Sequence, residues 1–171
     1  MTSPSADALF EAMKPPPPRR LGWWLLAWPG FQAQFDRLVE TVERLREKEP
    51  DGYRVHPQAK LLAAIVRIVT HDVPRDPGHS DFRQGGTLGA AYTAWFRAKF
   101  YTRFRLLFRF DSQRKAIVFA WVNVEGGLRK EGDRNDPYYV FRRMLERGRP
   151  PTSFDDLLAN PEEWSSHPDR T

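Results

Sequence analysis

Across residues 31–48 the apolar side chains recur at Phe31, Phe35, Leu38, Val42 and Leu45, in steps of four and three, with charged residues between them. That spacing lays one apolar stripe along a helix whose opposite face is solvated. A second apolar-rich segment, from residue 57 to about 70, opens with Pro57, which suits a first helical turn because its missing N–H has no partner there anyway. The turn Pro50-Asp51-Gly52 makes the two segments an antiparallel helix pair. Ahead of them the run LGWWLLAW, residues 21–28, is closed by Pro29 and Gly30 and reads as a buried first strand.

The period then changes to two. Arg97, Lys99, Arg103, Arg105 and Arg109 alternate with Phe96, Ala98, Phe100, Phe104, Leu106, Phe108 and Phe110, which predicts two strands that are oily on one face and cationic on the other. A third strand, residues 116–123, is apolar on both faces, as a central strand covered on both sides must be. Residues 72–93 are rich in Pro, Gly and Asp without a sustained period and predict a long loop, of a length that is often functional. Downstream, Asp136 as cap, Pro137 at the first position and Gly148 after the last turn bracket a helix with Val140, Phe141, Met144 and Leu145 on its apolar side. Ser153 caps a short helix over Asp155, Asp156, Leu157 and Leu158, and the polar chain from Asn160 is expected to fray. These elements predict an α/β fold of the α+β kind. Its domain spans residues 21–158, between a Pro-rich arm (1–20, with Pro15 to Pro18 consecutive) and a polar tail (159–171).

Whether the cations share a face depends on the loop joining the first two alternating strands. A three-residue loop, Phe100-Tyr101-Thr102, puts Lys99 opposite Arg103, Arg97 opposite Arg105 and Trp95 opposite Leu107, and opposed residues point to the same side. A two-residue loop would mix the faces, against the hydrophobic pattern. The tip, Tyr101-Thr102, lacks glycine. On charge pattern alone, a bed for a polyanion and a solvated face that blocks edge aggregation explain the stripe equally well.

Charge sharpens this reading. Between Arg97 and Lys115 lie seven basic residues and one acid, Asp111, a local balance of +6 in a chain of net charge +5, so the remainder is close to neutral. A pI near 9.7 favours nucleic acid, an anionic membrane or an acidic protein as partner. With 171 residues, 40% of them hydrophobic, there is enough chain for one domain with a core. The absence of cysteine removes thiolate metal sites, a thiol nucleophile and disulfides. No apolar run approaches a membrane span of about 18 residues, and the first 20 residues lack the order of a signal peptide, so a soluble, cytoplasmic protein is expected.

Motif chemistry is sparse. His71, Asp72, Asp76, His79 and Asp81 lie close in sequence but match none of the tight zinc spacings, and their prolines and glycine suit a turn-rich loop, so neither metal nor cofactor is expected. GGTLG lacks the lysine of a phosphate-binding loop, and no serine sits in a GxSxG elbow. A basic cluster by itself can still cleave RNA. The 2′-hydroxyl attacks the neighbouring phosphorus while preorganised Arg and Lys stabilise charge on the nonbridging oxygens, and no metal is needed.

Eight blocks, GWWLLAWPGFQAQFDRLV, KLLAAIV, FRQGGTLG, WFRAKF, RFRLLFRF, AIVFAWVN, LRKEGDRND and YYVFRRMLERGRPP, occur in an order that resembles the YhaV toxins of bacterial type II toxin–antitoxin systems, members of the RelE superfamily, over about residues 21–158. The resemblance implies a RelE-like fold, a helical hairpin on a twisted, mainly antiparallel small sheet with a C-terminal helix. It implies an endoribonuclease that cleaves mRNA, in many relatives at the ribosome, where the A site would hold it. It also implies growth arrest when unchecked, neutralisation by a PrlF/AbrB-like antitoxin, and operator DNA bound only together with that antitoxin. Carried over residue by residue, Arg97 and Lys99 in WFRAKF, Arg105 in RFRLLF, Arg129 in the LR after the last strand and Tyr138 in NDPYYVF are the catalytic candidates, Tyr138 as a base-stacking aromatic or an aid to the nucleophile. Arg103, Arg109 and Lys130 are the RNA-binding candidates, and Trp95 and Trp121 are expected to pack rather than stack on bases. The competing expectation is a catalytically silent RNA- or ribosome-binding protein, or an antitoxin-dependent repressor subunit.

Overall fold

The computed structural model describes residues 19–124 and 136–159 and the backbone of 162–163. In chain order the elements are β1 (Arg19–Arg20), β2 (Trp23–Ala27), α1 (Pro29–Lys48), α2 (Pro57–Arg67), β3 (Phe96–Phe100), β4 (Phe104–Asp111), β5 (Ala116–Val122), α3 (Pro137–Glu146), α4 (Phe154–Ala159) and β6 (Glu162–Glu163). One sheet runs in the order β1-β2-β5-β4-β3, with β6 also paired to β2. Only β2 and β5 are parallel; every other pair is antiparallel.

The period-two pattern divides β3 and β4 between two cores. Ala98, Leu106 and Phe108, with Phe96, Phe100, Phe104 and Phe110, pack beneath the α1–α2 hairpin against Phe35, Leu38, Val42, Leu62 and Ile65. Trp95 and Leu107 point the other way and join Val118 and Ala120 under Tyr138, Phe141 and Leu145 of α3 and Leu157 of α4. The cationic face is therefore half roofed by helices, and its middle is apolar. β5 lies centrally with six of its seven residues buried, as its composition requires. A bulge between Leu107 and Phe108 leaves Ala120 without a partner across the ladder, and both Ala120 and Trp121 pack in the second core.

Several boundaries differ from the sequence reading. The hairpin pairs Phe100 with Phe104, Lys99 with Arg105 and Arg97 with Leu107, so the three-residue loop is Tyr101-Thr102-Arg103 and Arg103 leaves the strand. Stacking of the Phe100 and Phe104 rings, with centroids 5.3 Å apart, closes the hairpin one pair later than expected. The turn holds Tyr101 and Thr102 at φ 44° and 64° without glycine. Because the slide is two residues, every side chain keeps its face. The second helix continues through a π turn (Ile68–Asp72) and a last α turn (Val73–Arg75) into the expected loop.

What remains of that loop is a belt around the β3 edge. Arg83 bridges Phe96, Phe82 meets Phe108 at 5.7 Å in the first core, and Leu88 is buried in the second. Buried Gln84 holds the belt, accepting from the Leu88 N–H at 3.2 Å and donating to the Tyr92 carbonyl at 3.0 Å. At the ends of the domain, Arg19–Arg20 belongs to the sheet rather than to the arm, and Glu162–Glu163, expected to fray, pairs with Leu26 and Ala27. Residues 1–18 lie outside the described residues. Among those described, no helix is long and apolar enough to cross a membrane.

One side chain repairs the unequal lengths of β2 and β5. β2 ends opposite Phe119, which leaves Val122 of β5 without a backbone neighbour on that side. Gln34 of α1 supplies one: its Nε2 donates to the Val122 carbonyl at 2.7 Å and its Oε1 accepts from the Val122 N–H at 3.1 Å. Gln34→Leu keeps the volume and orphans both groups, so it is expected to cost about 2 kcal/mol. Urea unfolding will show this as a lower midpoint at unchanged slope, and an unchanged midpoint would refute the role.

Candidate active site

Where β3 and β4 emerge from under α3, three strand residues and one helix residue converge. Pro137 starts α3 and places Tyr138 in its first turn, with the ring in the second core and the hydroxyl at the sheet. That oxygen accepts from Arg97 Nε at 2.8 Å and from Arg105 Nε at 3.2 Å, so one phenol orients two guanidinium groups from adjacent strands. Arg97 is half-buried and also donates through Nη1 to the Asp81 carbonyl of the belt at 2.7 Å. Arg105 is only 6% exposed, and its Nη1 donates to the carbonyls of Thr102 (2.9 Å) and Phe104 (2.8 Å). Among the described residues, no hydrogen bond uses Nη2 of either arginine. Lys99 lies directly opposite Arg105, exposed to solvent.

Opposed like charges on a ladder are unfavourable. Here the buried member is held by carbonyl and hydroxyl acceptors that offset its desolvation, while the other stays in water. Three cations then share one end of one sheet face, two of them with rigid planar donor forks of the kind that suits a phosphate whose nonbridging oxygens gain charge.

The sequence-derived candidates separate accordingly. Arg97, Lys99, Arg105 and Tyr138 come together. Tyr138 is 5% exposed, so its ring offers no face to a base, and its hydroxyl is the part that meets the two guanidinium groups. Arg103 is exposed in the turn beside them. Arg109, expected to bind RNA, lies at the other end of the same face, half-buried over the rings of Trp95 (5.9 Å) and Phe154 (5.5 Å), with Nη1 donating to the Thr152 carbonyl. Burial lowers its pKa, partly offset by the charge of Asp111. It ties the α3–α4 connection to the sheet. Arg129 and Lys130 lie outside the described residues. Trp95 packs as expected, edge-on to Phe141 at 4.9 Å.

Sequence reasoning missed two supports. Buried Asn123 accepts from the Arg105 N–H at 2.7 Å and donates to the Arg103 carbonyl at 3.0 Å, fixing the base of the hairpin. Its only signal was a polar residue closing an apolar strand. The Asp81 carbonyl carried none, because it acts through backbone. Elsewhere His71 pairs with Asp72 at 3.0 Å and His79 with Asp81 at 3.6 Å, while His56 caps α2 by accepting from the Gln58 N–H. Among the described residues, no three potential metal ligands come together.

Comparison with known proteins adds family to geometry. Residues 25–162 match the family described as a toxin with endonuclease activity, of toxin-antitoxin system. Toxin YhaV of Escherichia coli O6:H1 is 39% identical over 149 residues, covering 86% of this chain and 97% of the relative. Ribonuclease toxin YhaV of Escherichia coli K12 matches with the same identity and coverage. No solved structure matches. A match that extends from β2 to β6 and contains the whole arginine–tyrosine cluster shows that this chain belongs to the YhaV family of toxins, which have endonuclease activity and act within toxin–antitoxin systems.

Proposed function

We propose that this protein is an endoribonuclease that cleaves mRNA by attack of a 2′-hydroxyl on the adjacent phosphorus, with Arg97, Lys99 and Arg105 as catalytic cations. The carrying observation is the shared Tyr138 hydroxyl, which preorganises Arg97 and Arg105 before substrate arrives. As the 2′-hydroxyl gives up its proton and its oxygen bonds to phosphorus, the P–O5′ bond breaks, the 5′-oxygen takes up a proton in exchange, and a 2′,3′-cyclic phosphate and a 5′-hydroxyl end remain. The relative named a ribonuclease toxin and the family's endonuclease activity support this reading. The substrate is cytoplasmic mRNA, either free or in the ribosomal A site, and the scaffold is RelE-like. The inhibitor is a PrlF/AbrB-like antitoxin, and operator DNA is bound only in complex with it.

A second reading, RNA or ribosome binding without cleavage, draws on one observation. No imidazole or carboxylate side chain is hydrogen-bonded to Arg97, Lys99 or Arg105 among the described residues. It predicts salt-sensitive association without product, whether the protein acts alone or as an antitoxin-dependent repressor subunit.

Three outcomes test the assignment. Wild-type protein with RNA or translating ribosomes in EDTA yields 2′,3′-cyclic phosphate ends, and Lys99→Ala lowers the rate about 100-fold while remaining folded; undiminished cleavage would remove Lys99 from the site. Tyr138→Phe loses about tenfold in kcat with KM little changed, because misorientation and not binding is what suffers. Arg109→Ala, by contrast, keeps the cleavage rate and loses about 2 kcal/mol of stability in denaturant unfolding.

A further inference from the structure

At the opposite end of the sheet from the arginine–tyrosine cluster, a second basic region surrounds an exposed leucine. β2 and β5 start side by side, with Trp24 opposite Ala116 and the Trp24 N–H donating to the Lys115 carbonyl at 2.7 Å. The β1–β2 turn therefore sits at the β4–β5 end. The cluster lies beyond the other end of β5, roughly 20 Å away at strand rise.

The turn itself is unfavourable on two counts. Leu21 and Gly22 form a two-residue hairpin loop between the pairs Arg20–Trp23 and Arg19–Trp24, with φ of 51° and 86°. With positive φ at both positions the loop is of the type I′ kind that matches strand twist, and that conformation selects Asn, Asp or Gly. A leucine there meets its own carbonyl oxygen, and this one is also 61% exposed, so neither its backbone nor its side chain gains from the position in the isolated chain. Around it, the Arg19 guanidinium lies over the Trp24 ring at 4.8 Å and Lys115 Nζ over Trp23 at 4.9 Å. Among the described residues, Arg19, Arg20 and Lys115 make no ion pair, whereas nearby Arg114 is matched by Asp111 and Asp155.

We propose that this tip docks an acidic segment of a partner protein whose apolar side chains close over Leu21. Since the chain belongs to a toxin–antitoxin family, that partner is its antitoxin. The proposal rests on family membership and is independent of the cleavage mechanism. Cations without an ion pair among the described residues call for an anionic partner, and the two indoles already carry cations on a face, so the free anchor is an aliphatic side chain, which suits a protein pocket better than a nucleobase.

The test uses the full chain and its separately purified cognate antitoxin, with calorimetric binding, RNA cleavage without antitoxin, and thermal unfolding. Leu21→Asn is expected to raise the melting temperature by about 2–4 °C, leave RNA cleavage at the wild-type rate and weaken antitoxin binding about tenfold. Arg19→Ser combined with Arg20→Ser and Lys115→Ser is expected to weaken binding and flatten its salt dependence. Unchanged antitoxin affinity in both variants overturns the proposal. So does a fall in RNA affinity without a fall in antitoxin affinity, which would make the tip an RNA contact. A lower melting temperature in Leu21→Asn also overturns it, because Leu21 would then be covered by the chain's own residues. Absence of RNA cleavage in the wild type would defeat the catalytic reading alone.

Discussion

The face-preserving register of β3 against β4 is the constraint on which everything else rests. With Phe100 paired to Phe104 and Lys99 to Arg105, the even positions of β3 and β4 from Phe96 to Phe110 pack beneath α1 and α2, and the odd strand positions lie on the other face of the sheet. A slip of β3 by one residue against β4 would turn Arg97 and Lys99 toward the first core and Phe96, Ala98 and Phe100 away from it, at a cost of several kcal/mol per unpaired charge. Slips of two residues keep the faces, so only local fit chooses among them. Here ring stacking at the hairpin's mouth and the positive-φ turn choose the register.

From that register follows the division of the odd face. Its middle is apolar and roofed by α3 and α4; its two ends carry cations whose fates differ. At the hairpin end α3 contributes a hydroxyl, not a carboxylate, so Arg97 and Arg105 are oriented without being neutralised, and their field remains available to a bound anion. At the other end Arg109 donates to a backbone carbonyl and stacks on two rings, which fits holding chain in place. Chemically identical side chains on one strand thus differ in their partners because of what covers them.

Much of the fold was legible because periodicity reports burial directly. The stripe from Phe31 to Leu45 is a helix, the alternation from Phe96 to Phe110 is two strands, and the two-sided apolar run at 116–122 is the central strand. The convergence of Arg97, Lys99 and Arg105 was legible too, since parity survives a two-residue error in the loop. Illegible were the contacts made by backbone or by amides over long separations. Gln34 reaching Val122, the Asp81 carbonyl under Arg97 and Asn123 at the hairpin base leave no periodic trace. The belt was read as loop because its one buried glutamine looks polar.

The sequence by itself determined the two-faced strands, the local charge excess and the family, because each depends only on which residue types follow one another. Tertiary structure alone decided that Tyr138 buries its ring and turns its hydroxyl to Arg97 and Arg105, and that Arg109 donates to the Thr152 carbonyl while Arg105 is held at the hairpin. It also decided that Leu21 stands exposed beside Arg19, Arg20 and Lys115, which make no ion pair among the described residues. The physical reason is common to all three. Burial and hydrogen-bond partners are set by segments distant in the chain, and the same side chain acts differently once its surroundings are chosen.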